Sequence, residues 1–160
     1  MSTTPRYWLM KSEPDEVSFD DVLAAPQQTV TWFGVRNYQA RNFMRDGMQQ
    51  GDLVFFYHSS CAEPGIAGIV KVVSGAFPDA SQFDPGSPYH DPKATQEQPR
   101  WISVDVQAVK KTRLLSLNEL RSCSELEHMR LLAKGSRLSV MPVAPAEWKF
   151  IEQLLKKCWN

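Results

Sequence analysis

Aromatic, arginine and asparagine side chains share one short stretch of the sequence, residues 32–45. Aromatic rings stack on planar groups, asparagine both donates and accepts hydrogen bonds, and arginine pairs with phosphate. Together these side chains favour recognition of a nucleobase with its backbone. The same spacing also fits an amphipathic helix that buries Tyr38, Phe43 and Met44 and exposes its arginines, which is a packing role. The stretch alone leaves binding and packing open.

Short strands and helices must position these groups. Apolar, aromatic and β-branched runs predict strands at residues 7–10, 28–32, 53–57, 66–73, 101–109 and 138–142. The runs at 53–57 and 66–73 are separated by a turn containing Gly and Pro, which predicts an antiparallel hairpin. Capping residues predict helices that follow Ser18, Asn37, Ser116 and Ser124, with Gly135 ending the fourth helix, and Pro145 begins a final helix through residue 157.

A long connection separates the hairpin from the next strand. Residues 77–100 are rich in Pro, Asp, Ser, Gln and Gly. We interpret them as an ordered loop, and long loops in compact domains commonly carry function. Strands and helices are mixed without repeated βαβ units. This pattern predicts an α+β fold, a small mixed β-barrel flanked by short helices, formed by one domain over residues 1–160.

The composition limits which partners the chain can attract. With 160 residues, 42% of them hydrophobic, the chain can bury a core without disulfides or metal. The chain has 18 Lys and Arg and 18 Asp and Glu, so its formal net charge is zero and does not attract nucleic acid nonspecifically. Any nucleic-acid binding must therefore depend on a local cluster of residues. No apolar run has the length of a bilayer span. We therefore expect no membrane partner and a cytoplasmic location.

The three cysteines, Cys61, Cys123 and Cys158, are far apart in the sequence. They form no CxxC pair and have no histidine spacing that would suit zinc. We expect free thiols in a reducing compartment, with no metal site and no cofactor.

Five blocks in this order resemble the EVE domain of the PUA-like superfamily. The blocks are YWLMKSEP (residues 7–14), WFGVRN (32–37), GDLVFFYHS (51–59), DPK (91–93) and SVMP (139–142). The likeness covers nearly the whole chain. It implies a PUA-like barrel, and a relation to the YTH domain, which reads methylated adenine in an aromatic cage.

The resemblance also implies a function and a set of site residues. EVE domains resemble readers of modified cytosine in DNA, so the implied partner is a nucleic acid with a modified base, in DNA or RNA, with a separate effector protein left open. The base-binding residues it implies are Lys11, Ser12, Trp32, Asn37, Tyr57, His58, Ser59 and Trp101. The residues expected to bind the nucleic-acid backbone and its phosphates are Arg36, Arg41, Asp91, Lys93 and Arg100.

Several of these residues have structural alternatives. Trp32 fits a core position, Asn37 fits a helix cap, and His58 fits a structural histidine. The remaining tryptophans outside the implied site are assigned to packing, namely Trp8, Trp148 and Trp159.

Two other functions stay open at this point. The related ASCH domains include amidohydrolases on acetylated cytidine, and this chain offers Lys11, Ser12 and Glu13 in a row, and His58 beside Ser59. Adjacent residues on a strand point to opposite faces, so neither neighbouring pair forms a relay by itself. The other alternative is a sensor of a small ligand or nucleoside in the same aromatic pocket.

Overall fold

A computed structural model describes residues 6–135 and 138–157, and within them the strands form one curved mixed sheet. The strands are β1 (Tyr7–Ser12), β2 (Thr29–Trp32), β3 (Leu53–His58), β4 (Gly65–Val72), β5 (Phe77–Pro78), β6 (Ile102–Ser116) and β7 (Val140–Pro142). Their order is β2-β6-β4-β3-β1-β7, and β5 pairs with β6 outside this path. The long β6 carries two register shifts against β4, and such bulges bend a sheet.

Short helices cover the sheet. They are α1 (Phe19–Ala24), α2 (Tyr38–Asn42), α3 (Leu117–Arg121) and α4 (Pro145–Lys157). A π-helical turn, Phe43–Gly47, continues α2. The predicted α+β class, with a mixed sheet and few short helices, is confirmed.

The predicted caps of the first two helices are confirmed. The Ser18 hydroxyl accepts from the backbone N–H of Asp21, whose carboxylate accepts from the N–H of Ser18 in return. The Asn37 side chain accepts from the N–H of Ala40 at 3.0 Å. Each bond satisfies a backbone donor that a helix start otherwise leaves unpaired.

The pairing of β3 places polar groups at one edge of the sheet. Strands β3 and β4 form the predicted antiparallel hairpin, and β3 runs parallel to β1. Because parallel strands end at the same edge, Lys11 lies beside Tyr57 and Ser12 lies beside His58. The carboxyl ends of both strands therefore meet in one place.

The sheet separates two hydrophobic clusters, because side chains alternate along each strand. Trp8 and Met10 face α1 and α2, while Leu9 faces α3 and α4. Gly68 of β4 permits close approach of α1, because a Cβ at this position would lie 2.4 Å from the ring of Phe19.

The helix predicted after Ser124 is wrong. The structure has two 3-10 turns there, Ser124–Leu126 and Arg130–Leu132. Leu126, Met129 and Leu131 are all buried beside α4. A single α-helix would turn residues 129 and 131 about 200° apart, so burying both requires the break.

The packing alternative for residues 32–45 holds for Met44 and fails for Tyr38. Tyr38 is 51% exposed in the first turn of α2, where its ring stacks on Trp101. Met44 is buried as predicted, and so are Trp8 and Trp148.

Other sequence predictions concern thiols, metals and membranes. Cys61 and Cys123 are free thiols, whereas Cys158 and Trp159 lie outside the described residues. Within residues 6–135 and 138–157, no cluster of His, Cys, Asp or Glu has the makeup of a metal site. None of the helices in that part of the chain combines the length and hydropathy of a membrane span.

Candidate functional site

A pocket of about 460 Å³ opens at the edge where β1, β2 and β3 end. The β1–α1 loop, the turn after β2 and the loop after β5 complete its walls. Its lining residues are Lys11, Ser12, Glu13, Glu16, Val17, Thr31, Trp32, Phe33, Gly34, Val35, Ser59, Ser60, Tyr89 and Ser139. The volume lies in the range of pockets that hold small organic groups.

Among the described residues, three aromatic side chains border this pocket. Trp32 is 7% exposed and packs edge to face on Phe56, with ring centroids 5.3 Å apart. Phe33 is 38% exposed at the rim, and Tyr89 meets it edge to face at 5.7 Å. Trp32 is thus held firmly by the core, while Phe33 stays open to solvent. Such a border suits a flat ring.

Gly34 is required by the position of Tyr89. Its φ of +84° lies in the region that favours glycine, and a Cβ would lie 2.9 Å from the Tyr89 ring. The Tyr89 ring therefore lies directly against the backbone of the turn after β2.

A hydrogen bond joins two loops at the pocket. The Tyr89 hydroxyl donates to the Glu16 carboxylate, with oxygen separations of 2.6 and 2.8 Å. Burial, followed by this bond to an anion, raises the pKa of Tyr89 to about 12. Tyr89 therefore stays a neutral donor and connects the loop after β5 to the β1–α1 loop.

The Lys11 ammonium lies in the pocket and is partly buried. Burial lowers the pKa of Lys11 below its ordinary value. Its Nζ lies 5.9 Å from the centroid of the Tyr57 ring, and no acidic side chain forms an ion pair with it among the described residues. The ammonium can therefore donate to an acceptor on a bound ligand.

The serine and threonine hydroxyls differ in their availability. Ser12 donates to the carbonyl of Val17 at 2.6 Å, and Thr31 donates to Asp105 at 2.6 Å. The Ser59 hydroxyl has no hydrogen-bond partner within the described part of the chain, although its backbone N–H donates to the Ser12 carbonyl. Ser59 is therefore the readier hydroxyl for a ligand.

A buried ion pair anchors the loop that carries Tyr89. Arg36 donates to Asp79 at 3.1 Å and to the Tyr89 carbonyl at 2.6 and 3.0 Å. Burial alone would raise the pKa of Asp79, but hydrogen bonds from Ser81, the Gly34 N–H and Arg36 outweigh it and lower the pKa. Asp79 therefore remains ionised and holds the turn after β2 to the loop.

Of the predicted base-binding residues, the structure brings Lys11, Ser12, Trp32 and Ser59 together in the pocket. The other four lie outside its lining. Asn37 caps α2, and Tyr57 is buried under Lys11. Asn37 and Tyr57 therefore stabilise the elements around the pocket and do not line it.

His58 and Trp101 also have structural partners. The His58 Nε2 accepts from the N–H of Phe19 at 3.1 Å, and burial lowers the pKa of His58, so the neutral ring is favoured. Trp101 is buried, stacks on Tyr38 and donates its Nε1–H to Asp91 at 2.8 Å. Trp101, expected from the resemblance to bind the base, therefore does not border this pocket.

The residues predicted to contact phosphate are divided between two places. The Arg36 guanidinium is already hydrogen-bonded to Asp79 and to the Tyr89 carbonyl. Arg41 donates to the carbonyl of Arg100 at 2.9 Å, and Arg100 lies 4.0 Å from Asp91. The backbone of Lys93 is fixed by Asp91, at 2.9 Å, while its side chain is exposed. Arg41, Lys93 and Arg100 thus belong to a surface around Trp101.

Sequence reasoning missed Glu16, Phe33 and Tyr89 as pocket residues. Phe33 directly follows Trp32 in the first stretch, and Tyr89 lies two residues before the DPK block. These positions carried a signal for Phe33 and Tyr89. Nothing in the sequence indicated that Glu16 would meet a tyrosine 73 residues away.

The residues suggested for a catalytic relay have other partners. The Ser12 hydroxyl points to Val17 and His58 accepts from Phe19, so both hold the start of α1. Lys11 has no hydrogen bond to Ser12 among the described residues, although both border the pocket. This agrees with the opposite orientation of neighbours on a strand.

Comparisons with known proteins identify relatives of this chain. A model of the EVE domain matches residues 6–154. Thymocyte nuclear protein 1 of Homo sapiens is 43% identical over 169 residues, covering 94% of this chain and 74% of the relative. The crystal structure of the human protein in complex with DNA containing 5-methylcytosine has a TM-score of 0.88 to this chain, covering 94% of it and 98% of the solved chain.

Two further solved structures are similar to this chain. A protein from Pseudomonas syringae is 53% identical with a TM-score of 0.89, covering 92% of this chain and 98% of the solved chain. The YTH domain of Zygosaccharomyces rouxii MRB1, solved with N6-methyladenosine RNA, is 14% identical with a TM-score of 0.56, covering 96% of this chain and 88% of the solved one. The predicted relation to YTH domains is confirmed at the level of the fold.

Proposed function

The chain belongs to the EVE domain family, and from that membership and its pocket we propose that it is a nucleic-acid-binding module that recognises a modified base. The base we propose is a modified cytosine in DNA. The observation that carries this proposal is an aromatic and polar pocket in a chain 43% identical to a human protein solved with DNA containing 5-methylcytosine.

Base recognition in a pocket requires that the base leave its stack. Unstacking costs a few kcal/mol, and stacking on an aromatic side chain returns about 1–3 kcal/mol. Trp32 is suited to this role because the core fixes its ring. Phe33 and Tyr89 supply further aromatic surface at the same pocket.

Lys11 and Ser59 are the groups we assign to the edge of the base. Cytosine presents acceptors and one amino donor, which an ammonium and a hydroxyl can meet. One methyl group contributes only about 1–3 kcal/mol of discrimination in an apolar pocket. We therefore expect moderate preference for the modified base over the unmodified one.

We infer binding without catalysis as the role of the pocket. Ser12 and His58 are engaged in hydrogen bonds that hold α1, which supports this inference over an amidohydrolase. A cytoplasmic location and action through a separate effector protein remain predictions, as does the choice of DNA over RNA.

The test is titration of single-stranded and duplex DNA and RNA oligonucleotides that differ at one base. The bases are cytosine, 5-methylcytosine, 5-hydroxymethylcytosine, adenine and N6-methyladenine. Trp32→Phe keeps a stacking ring, Trp32→Ala removes it, and Val109→Ala is the matched control because Val109 is exposed on β6 and does not border the pocket. We expect preference for a modified cytosine that Trp32→Ala abolishes and Val109→Ala retains.

Other outcomes separate the alternatives. Equal and negligible binding of all oligonucleotides would refute the reader. Binding of a free modified nucleoside with almost no dependence on salt would favour the sensor, because binding of a polymer weakens with rising salt. Turnover of acetylated cytidine, measured by product formation, would favour the hydrolase.

A further inference from the structure

An exposed aromatic face lies outside the pocket. In the described part of the chain the large hydrophobic side chains that are exposed are Phe33, Tyr38 and Val109. Phe33 borders the pocket, whereas Tyr38 does not. Tyr38 stacks on the buried Trp101, with centroids 4.8 Å apart and planes at 26°. Its inner face is thus fixed, and the exposed half is the outer side of the stack.

The guanidinium of Arg41 contacts the Tyr38 ring without lying straight across it from Trp101. Its Cζ lies 4.7 Å from the centroid of Tyr38 and 5.9 Å from that of Trp101. With 4.8 Å between the two rings, these distances form a compact triangle. Arg41 therefore lies beside the stacked pair and not opposite Trp101. A second flat ring can approach Tyr38 with a cation next to it.

The surface around Tyr38 is suited to a polyanion. Arg100 lies 3.5 Å from the Tyr38 hydroxyl, and Lys93 is exposed in the same loop. Asp91 brings a negative charge to this cluster, but it already accepts from Trp101 and lies 4.0 Å from Arg100. The remaining positive charge of the cluster complements phosphate.

A continuous line of planar groups connects this surface to the pocket. The guanidinium of Arg36 lies 5.3 Å from the centroid of Trp101 and 5.5 Å from that of Tyr89. Tyr89 borders the pocket. Trp101 and Arg36 lie between Tyr38 and Tyr89 along this line, with steps of 4.8, 5.3 and 5.5 Å. One strand of nucleic acid advances about 3.4 Å per nucleotide, so a few nucleotides can span this line.

We propose that Tyr38, with Arg41 beside it, stacks an unpaired base that flanks the modified base in the same strand. This inference rests on the proposed function and adds a second contact site to it. The partner is thus a single-stranded or locally opened nucleic acid. Base stacking on an exposed aromatic side chain tolerates any base, so this site strengthens binding without reading sequence.

The experiment is a double-mutant cycle between Tyr38 and the flanking bases. Wild type, Tyr38→Ala and Tyr38→Phe are titrated with single-stranded DNA that contains one 5-methylcytosine, and with the same strand carrying abasic sites at successive neighbouring positions. Val109→Ala is the control for loss of an exposed apolar side chain. Free 5-methyl-2′-deoxycytidine, which has no flanking base, is titrated alongside, and melting temperatures check that each variant is folded.

We expect Tyr38→Ala to weaken binding of the intact strand about five-fold or more, and Tyr38→Phe to retain it. An abasic site at the stacked position should weaken binding by wild type by the same factor as Tyr38→Ala does. The same abasic site should leave binding by Tyr38→Ala unchanged. Binding of the free nucleoside should be the same in all variants.

Two results overturn the inference while the reader function stands. One is selective binding that Tyr38→Ala leaves unchanged. The other is an equal loss on intact and abasic strands, which would mean a contact to phosphate. If wild type prefers no modified base and Trp32→Ala changes nothing, the proposed function fails and this inference fails with it.

Discussion

Replacing Asp79 by asparagine tests whether a buried ion pair holds the wall of the pocket. The Asp79 side chain is fully buried, and its two oxygens accept from Ser81, the Gly34 N–H and Arg36. In Asp79→Asn one oxygen becomes an amino group, so the donors on that side lose their acceptor and Arg36 loses its counter-ion.

The magnitude follows from these bonds. A hydrogen bond to a charged group contributes about 1.5–3 kcal/mol, and breaking a buried ion pair costs about 3–5 kcal/mol. Arg36 is 22% exposed and keeps its bonds to the Tyr89 carbonyl, which reduces the loss. We expect Asp79→Asn to lower the free energy of unfolding by about 2–4 kcal/mol.

The assay is equilibrium denaturation with the matched variant Asp46→Asn. Asp46 also pairs with an arginine, Arg45, at 2.9 Å, but both side chains are well exposed. Exposed pairs contribute little, so this control should leave the denaturation midpoint nearly unchanged. Equal shifts in the two variants would refute the reasoning. Asp79→Asn should also weaken binding of the modified base, because Arg36, which holds the Tyr89 carbonyl, loses its counter-ion and the turn at Gly34 loses an acceptor.

The same pair predicts a dependence on pH. The pKa of Asp79 lies below its ordinary value of 3.8. A carboxylate with a lowered pKa stabilises the fold above its unfolded pKa, and this stability is lost as the pH falls through the folded pKa. The difference in unfolding free energy between wild type and Asp79→Asn should therefore be constant above about pH 5 and shrink below about pH 4.

Two more predictions concern backbone fit and protonation. Gly34→Ala should lower the free energy of unfolding by more than about 1 kcal/mol and weaken ligand binding, because Gly34 has a φ of +84° and a Cβ would meet the Tyr89 ring. The control is Gly75→Ala, which has open space around it and should have little effect in the same denaturation assay. His58 must be neutral to accept from Phe19, and burial lowers its pKa below the ordinary 6.5. The unfolded chain therefore takes up this proton first, and the stability of wild type should fall as the pH drops through 6.5 and below. His58→Gln keeps an acceptor without this titration, and an equally steep fall in that variant would contradict the role.

Local signals in the sequence predicted most of the fold. Capping by Ser18 and Asn37, the hairpin of β3 and β4, and the start of α4 at Pro145 each depend on neighbours in the chain. The break between the two 3-10 turns was missed, because it depends on burial of Leu131 against a helix that comes later in the sequence.

The candidate site was predicted where the residues lie at strand ends. Lys11, Ser12 and Ser59 meet because β1 and β3 run parallel and end together. Trp32 joins them from the end of β2, which pairs with β6. Tyr89 could not be assigned to the same place from its own surroundings. It reaches the pocket through contacts to Glu16 and Arg36, which are 73 and 53 residues away.

Arg36 shows why residue type alone misassigns a role. An arginine beside aromatic residues is suited to phosphate, yet this one is satisfied by Asp79, 43 residues away, and by the Tyr89 carbonyl. Its charge is therefore used to position a ring of the pocket. Arg41, in the same stretch, donates instead to the carbonyl of Arg100, 59 residues away, and lies beside the exposed ring of Tyr38. Arg36 thus positions the Tyr89 side of the pocket through partly buried contacts, while Arg41 remains at the surface where a nucleic acid strand can reach it.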